Sequence, residues 1–208
     1  MDQMIDTHFP SLRRARPGAA AFSLIEVLVV LGVISIVAVL TLPTLNSAFT
    51  SAKINSATQM IADTIALARQ EAVAKDRYVQ VRFYKITTGT QQGWRAIQVF
   101  RMEPNSGGST TVAVTRLQTL PDGIILSPTL SPLLTADSAI SGTDTLPIYG
   151  STSYGGFCFL PSGETENSLT AQNNYITVQN ATSPGAPPSN YSTLQVNLVT
   201  GKVITYRP

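Results

Sequence analysis

Glu26 is the residue whose type and place ask most of their surroundings. It sits in "AFSLIEVLVV" (21–30), and the apolar run continues through "LGVISIVAVLTLPTL" to Leu45, with no further charged side chain before Lys53. More than about 18 consecutive apolar residues read as a membrane helix. A carboxylate inside one costs roughly 2.5–3.5 kcal/mol on insertion scales, so Glu26 must snorkel to the headgroups, hold a proton or find a cation. Other chemistry is scarce. His8 is the only histidine and Cys158 the only cysteine, which excludes an intramolecular disulfide. His8 lies in a basic N-terminal piece, and once that piece is removed no Ser-His-Asp, Cys-His or histidine-metal site can be built. Cys158 falls in an apolar strand pattern and reads as a small buried hydrophobe. Asp137 and Asp144 alone offer fewer oxygens than the roughly six to eight calcium takes. Glu164 and Glu166 carry no mark of a catalytic pair, and Asp122-Gly123 is turn chemistry. Lys202 and Arg207, with Tyr206 between them, could touch nucleic acid, but two charges are too few for strong salt-dependent binding. The sequence shows no phosphate loop, metal-ligand spacing or internal repeat, so no catalytic, cofactor-binding or metal residue is assigned.

The elements that must hold these residues follow from composition and period. The chain has 208 residues, 43% hydrophobic, with a net charge of +2, which suits one membrane segment plus one domain able to bury its own core. Arg13, Arg14 and Arg16 stand in the first 21 residues and the remainder is nearly neutral, a weak electrostatic case for nucleic acid. A secretory signal places its small-residue cleavage site after the apolar region; here Ala19–Ala21 precede it, so a cut after Ala21 keeps the apolar segment in the mature chain. The arginines hold the N-terminal side in the cytoplasm. A plain single-span anchor fits the same features.

Residues 1–21 are therefore expected to be a leader and 22–76 one long helix, membrane-spanning in its first half and roughly 80 Å long at 1.5 Å per residue. Pro43 is expected to kink or loosen it. In its second half Ile54, Ile61, Ile65, Ala68 and Ala72 make one apolar stripe. Residues 77–208 read as a β-rich domain. "RYVQVRFYKI" alternates Val79/Val81/Phe83 against Tyr78/Gln80/Arg82/Tyr84. "GWRAIQVFRM" and "TTVAVTRLQTL" read as the next strands, with "PDG" as a turn. The Ser/Thr/Pro-rich section at about 127–156 is expected to be a long loop. "GFCFL", "NYITVQN" and the hairpin "STLQVNLVTGKVITYR" complete the domain. One long helix followed by antiparallel strands predicts an α+β fold with the helix packed on the sheet.

"A-FSLIEVLVVLGVI" resembles the type IV prepilin signal of type IV pilins and type II secretion pseudopilins. The resemblance implies that a prepilin peptidase cuts between Ala21 and Phe22, that the Phe22 amine is methylated, and that Glu26 is the acidic residue of the motif. Pro43 matches a proline in the family's long helix. The position before the cut, usually glycine in the family, is Ala21. The resemblance also implies pairing of Glu26 in one subunit with the Phe22 amine of a neighbour in a fibre, a register device in low dielectric. "LARQEAVAKDRYVQVRF", "FCFLPSG" and the terminal "GKV" hairpin are similar to the GspH/FimT branch of minor pseudopilins, and "GW-AIQVF" to the cassette-encoded prepilin-like proteins known as Verru_Chthon cassette protein D.

These features predict a non-enzymatic subunit of a type II secretion pseudopilus or type IV pilus-like fibre, single-pass in the inner membrane, with its β domain periplasmic or extracellular. The implied partners are the prepilin peptidase, other pilin or pseudopilin subunits and the inner-membrane assembly platform. A DNA- or surface-binding minor pilin, a simple membrane-anchored β-domain binding protein and an anchored envelope enzyme are the rival readings. Any partner specificity is expected in the long Ser/Thr-rich section.

Overall fold

The computed structural model of the protein describes residues 22–89, 91–135, 140–166, 172–182 and 187–207, apart from the side chains of 40–46, 88 and 91. The chain divides into two units, Met1–Leu45 and Asn46–Pro208. One helical element, α1 (Leu24–Lys75), contributes to both. Its first turn starts at Ser23, whose carbonyl accepts from the backbone N–H groups of Glu26 at 3.0 Å and Val27 at 3.2 Å. At the other end the Arg77 N–H returns to the Ala72 carbonyl at 3.2 Å. Asp76 takes a left-handed φ of 53° to permit it, a conformation aspartate adopts more readily than most residues.

In the first unit, the described part of α1 is apolar on every face and exposed. Among the described residues no helix is long and apolar enough to cross a membrane. The described apolar side chains end at Val39, while the sequence stays apolar to Leu45. The backbone is helical through Pro43, whose side chain, like all of Ala21, lies outside the described residues.

The second unit is an antiparallel sheet against the rest of α1. Its strands are β1 (Val79–Thr88), β2 (Gln91–Asn105), β3 (Gly108–Ala113), β4 (Gln118–Thr119), β5 (Ile124–Leu126), β6 (Ile140–Leu146), β7 (Gly150–Phe159), β8 (Tyr175–Asn180), β9 (Tyr191–Val196) and β10 (Val203–Tyr206). The order across the sheet is β10-β9-β8-β5-β2-β1-β7-β6, with β3 and β4 also paired to β2. The α+β class therefore stands. Ile54, Ala57, Ile61, Ile65, Ala68 and Ala72 of α1 are fully buried against Val79, Val81, Phe83, Phe157, Phe159, Ile176, Leu194 and other inward residues of the sheet. Helical spacing and strand alternation thus meet in one apolar layer. Arg101 of β2 bonds both Glu71 of α1 and Glu103, and this hydrogen bond holds the Glu103 carboxyl below its usual range. At the far side β10 runs beside α1: Arg207 donates to Asn55, and a Cβ on Gly201 would lie 2.7 Å from the Arg69 side chain.

Two expectations need correction. The section 127–156 is not a long loop, because it contains β6 and most of β7. The Ser and Thr side chains of β6 and β7 are exposed, Thr152 excepted, so composition imitates a loop. Two of the section's glycines serve close packing, since a Cβ on Gly155 would stand 2.3 Å from the Leu134 carbonyl oxygen and one on Gly156 1.9 Å from that of Val81. "TTVAVTRLQTL" is two strands, β3 and β4. The chain bulges between them where the N–H groups of Val114 and Thr115 both reach the Val99 carbonyl, at 2.8 and 3.4 Å. The β1 face opposite the helix is also covered. Tyr84, Ile86, Ala96 and Leu146 form a second cluster there, with Phe100 and Tyr154 against it.

Candidate assembly site

At the N-terminal end, Phe22 is 78% exposed and Leu24 81%. Glu26 lies in the first turn of α1 and is exposed. Ile25, Val27, Leu28, Val29, Val30 and their successors as far as Val39 stay open around the whole helix. A helix apolar on every face is unfavourable in water while those faces stay uncovered. Glu26 is the single ionisable side chain on the described part of that surface. Phe22 lies two residues before α1 and Glu26 in its first turn. The chemistry available is therefore packing by the apolar faces and placement by one carboxylate.

The remaining predicted residues fall elsewhere. Cys158 is 2% exposed, and burial, assisted by the negative charge of Glu166, pushes its thiol up to about 12; it is no nucleophile near neutral pH. Asp137 lies outside the described residues. Asp144 is engaged: its Oδ2 accepts from Arg82 Nη1 at 2.8 Å and from the Tyr84 hydroxyl at 2.7 Å. Glu164 and Glu166 flank Thr165, whose backbone N–H bonds the Leu198 carbonyl at 3.0 Å, and no acid–base geometry joins them. Arg207 is held by Asn55 and Asn190; Lys202 is exposed and does not share its cluster. Among the described residues no group of three or more His, Cys, Asp or Glu could hold a metal ion.

Sequence reasoning missed the network around Arg82. Its guanidinium stacks on Phe100 at 4.4 Å and Tyr154 at 4.5 Å and donates to Gln80 as well as Asp144. Burial, with the hydrogen bond to Asp144 next, drives the Tyr84 phenol well above its ordinary range. No local signal announces this site: Arg82 and Tyr84 stand in the polar half of the β1 alternation, and Asp144 lies in the section expected to be a loop.

Residues 16–42 match the family model described as the prokaryotic N-terminal methylation motif. The chain has a prepilin-type N-terminus. That prepilin-type match spans Ala21, Phe22 and Glu26 and ends just before Pro43. No curated protein matches the chain. Two solved structures of the minor pseudopilin EpsH from the type 2 secretion system of Vibrio cholerae are similar to it. One is 15% identical, covers 75% of this chain and 98% of that chain, and has a TM-score of 0.39. The other is 14% identical, covers 76% and 96%, and has a TM-score of 0.40. Likeness at that level fixes neither the fold nor the role of the prepilin-type chain.

Proposed function

We propose that the protein is a non-enzymatic, structural subunit of the prepilin type, built into a type II secretion pseudopilus or a type IV pilus-like fibre. The observation that carries this reading is the coincidence of the methylation motif at 16–42 with the start of a helix whose apolar residues are open on all sides. In this reading residues 1–21 are the leader, 22–76 the assembly helix and 77–208 the outward domain. The prepilin peptidase cuts between Ala21 and Phe22, and the Phe22 amine is methylated. The apolar segment spans the inner membrane once, with the domain on the periplasmic side, until the assembly platform transfers the subunit to the fibre. Pro43 gives the helix room to bend. A minor rather than a major subunit is favoured by the likeness of "LARQEAVAKDRYVQVRF" and "FCFLPSG" to the GspH/FimT branch.

Glu26 is the register device. In the fibre its carboxylate meets the Phe22 amine of a neighbour, a group ordinarily titrating near about 7.7–8.0. A wrong stagger leaves a buried charge without a partner, which is costly. Mass measurement of the protein from membranes holding a prepilin peptidase tests the processing. A chain beginning at Phe22 with one added methyl is expected, and one still beginning at Met1 would overturn the reading. Glu26→Ala should leave cleavage intact and reduce incorporation into fibres, scored by immunoblot of sheared fibres; undiminished incorporation would remove the pairing role.

A further inference from the structure

We infer that β6 is a homotypic docking edge, pairing antiparallel with β6 of a second copy about a two-fold axis. Among the described residues β6 is hydrogen-bonded on one side only, to β7, so alternate residues present N–H and C=O groups outward. The opposite edge strand, β10, lies beside α1 with Arg207 tied to Asn55. Free edges are usually protected by charge, proline or a bulge. The seven residues of β6, Ile-Ser-Gly-Thr-Asp-Thr-Leu, contain none of these on the free side. The one charge, Asp144, is turned inward onto Arg82 and Tyr84. That same network pins the edge to β1, so the strand is already set in its extended form and little ordering is left for binding to cost.

The sequence of β6 itself specifies the partner. Laid antiparallel on a second copy and centred on Thr143, it sets Ile140 opposite Leu146, Ser141 opposite Thr145, and Thr143 opposite Thr143. Apolar pairs fall with apolar pairs and hydroxyls with hydroxyls, the combinations that stabilise cross-strand neighbours. Asp144 falls opposite Gly142, not opposite the other Asp144. Gly142 is itself kept small by Tyr154, whose hydroxyl oxygen would stand 2.8 Å from a Cβ there. The faces agree as well. Residues 141, 143 and 145 are exposed, while Asp144 and Leu146 turn toward the domain. Two paired copies would therefore show a hydroxyl ladder to solvent and extend the covered face on the other side. Ile148, 86% exposed in the turn after β6, adds apolar surface at each end of the seam. Such a contact is isologous and closes at two copies. It uses no residue of the 16–42 motif, so it stands or falls apart from fibre assembly.

The test uses the full-length chain in detergent micelles. Thr143→Cys puts two thiols opposite each other on the axis, whereas native Cys158 is 2% exposed and silent. Mild oxidation should give a cross-linked dimer at least about tenfold faster than Ser106→Cys, an exposed control in the β2–β3 turn. Equal rates, or no dimer, would overturn the proposal. Thr143→Lys and Thr143→Glu should each weaken dimerisation about fivefold in sedimentation, by setting like charges opposite each other. An equimolar mixture of the two should recover it as a heterodimer; failure of that recovery, with both variants folded by circular dichroism, is equally decisive against β6 pairing.

Discussion

With its guanidinium between the rings of Phe100 and Tyr154 and bonded to Asp144 and Gln80, Arg82 has exchanged water for protein partners. Only 8% of its side chain is exposed, against 28% for Asp144. The two members of the pair therefore differ in what their loss leaves behind. Arg82→Ala strands a half-buried carboxylate and empties the space between two rings, and should cost about 2–4 kcal/mol in urea denaturation. Asp144→Asn keeps an acceptor for the Tyr84 hydroxyl and should cost less, about 1 kcal/mol. Cys158 makes a prediction of a different kind. Its folded thiol titrates at about 12, well above the ordinary thiol, so folding favours the neutral form. The resulting stability is complete below the ordinary thiol range and is lost as pH rises toward about 12. A thiol reagent at pH 8 should therefore leave the native protein unlabelled and react at once when denaturant is added.

At the scale of elements, the parts legible in the sequence are those whose signal is local. The α1 stripe of Ile54, Ile61, Ile65, Ala68 and Ala72 repeats at helical spacing, and all five are fully buried. The alternation Val79/Val81/Phe83 marks the helix-facing side of β1 for the same reason. Ile61→Ala should then cost about 2–5 kcal/mol by opening a cavity in that layer, while Leu67→Ala, on the open side of the same helix, should stay within about 0.5 kcal/mol in thermal melts. What was not legible depended on distant residues. The Ser/Thr/Gly section over β6 and β7 lacks an apolar alternation because its buried glycines carry no side chain to reveal the inward face. Gly155 and Gly156 sit where the backbones of Leu134 and Val81 come close, and nothing near them in sequence shows it. The Arg82–Asp144 contact joins residues 62 positions apart, so neither end could be recognised from its neighbours.

Taken whole, the molecule keeps its packed core within Asn46–Pro208: every residue of the main apolar cluster, from Ile54 to Val196, belongs to that unit. A chain beginning at Asn46 should fold without the apolar N-terminal segment and melt, by calorimetry, within about 4 °C of the full-length protein in detergent, since no core contact is lost. The sheet has one uneven join. β5 meets β2 at a single residue pair, Leu126 with Trp94, so the β8–β9–β10 ladder is attached to the β2–β1–β7 ladder mainly through side chains that both press against α1. Apolar cohesion weakens on cooling, whereas backbone ladders depend on it far less. Low temperature should thus slacken this line before either ladder frays. The only tryptophan of the chain stands on the line itself, so a red shift of its fluorescence near freezing would show the two halves of the sheet parting while their strands remain intact.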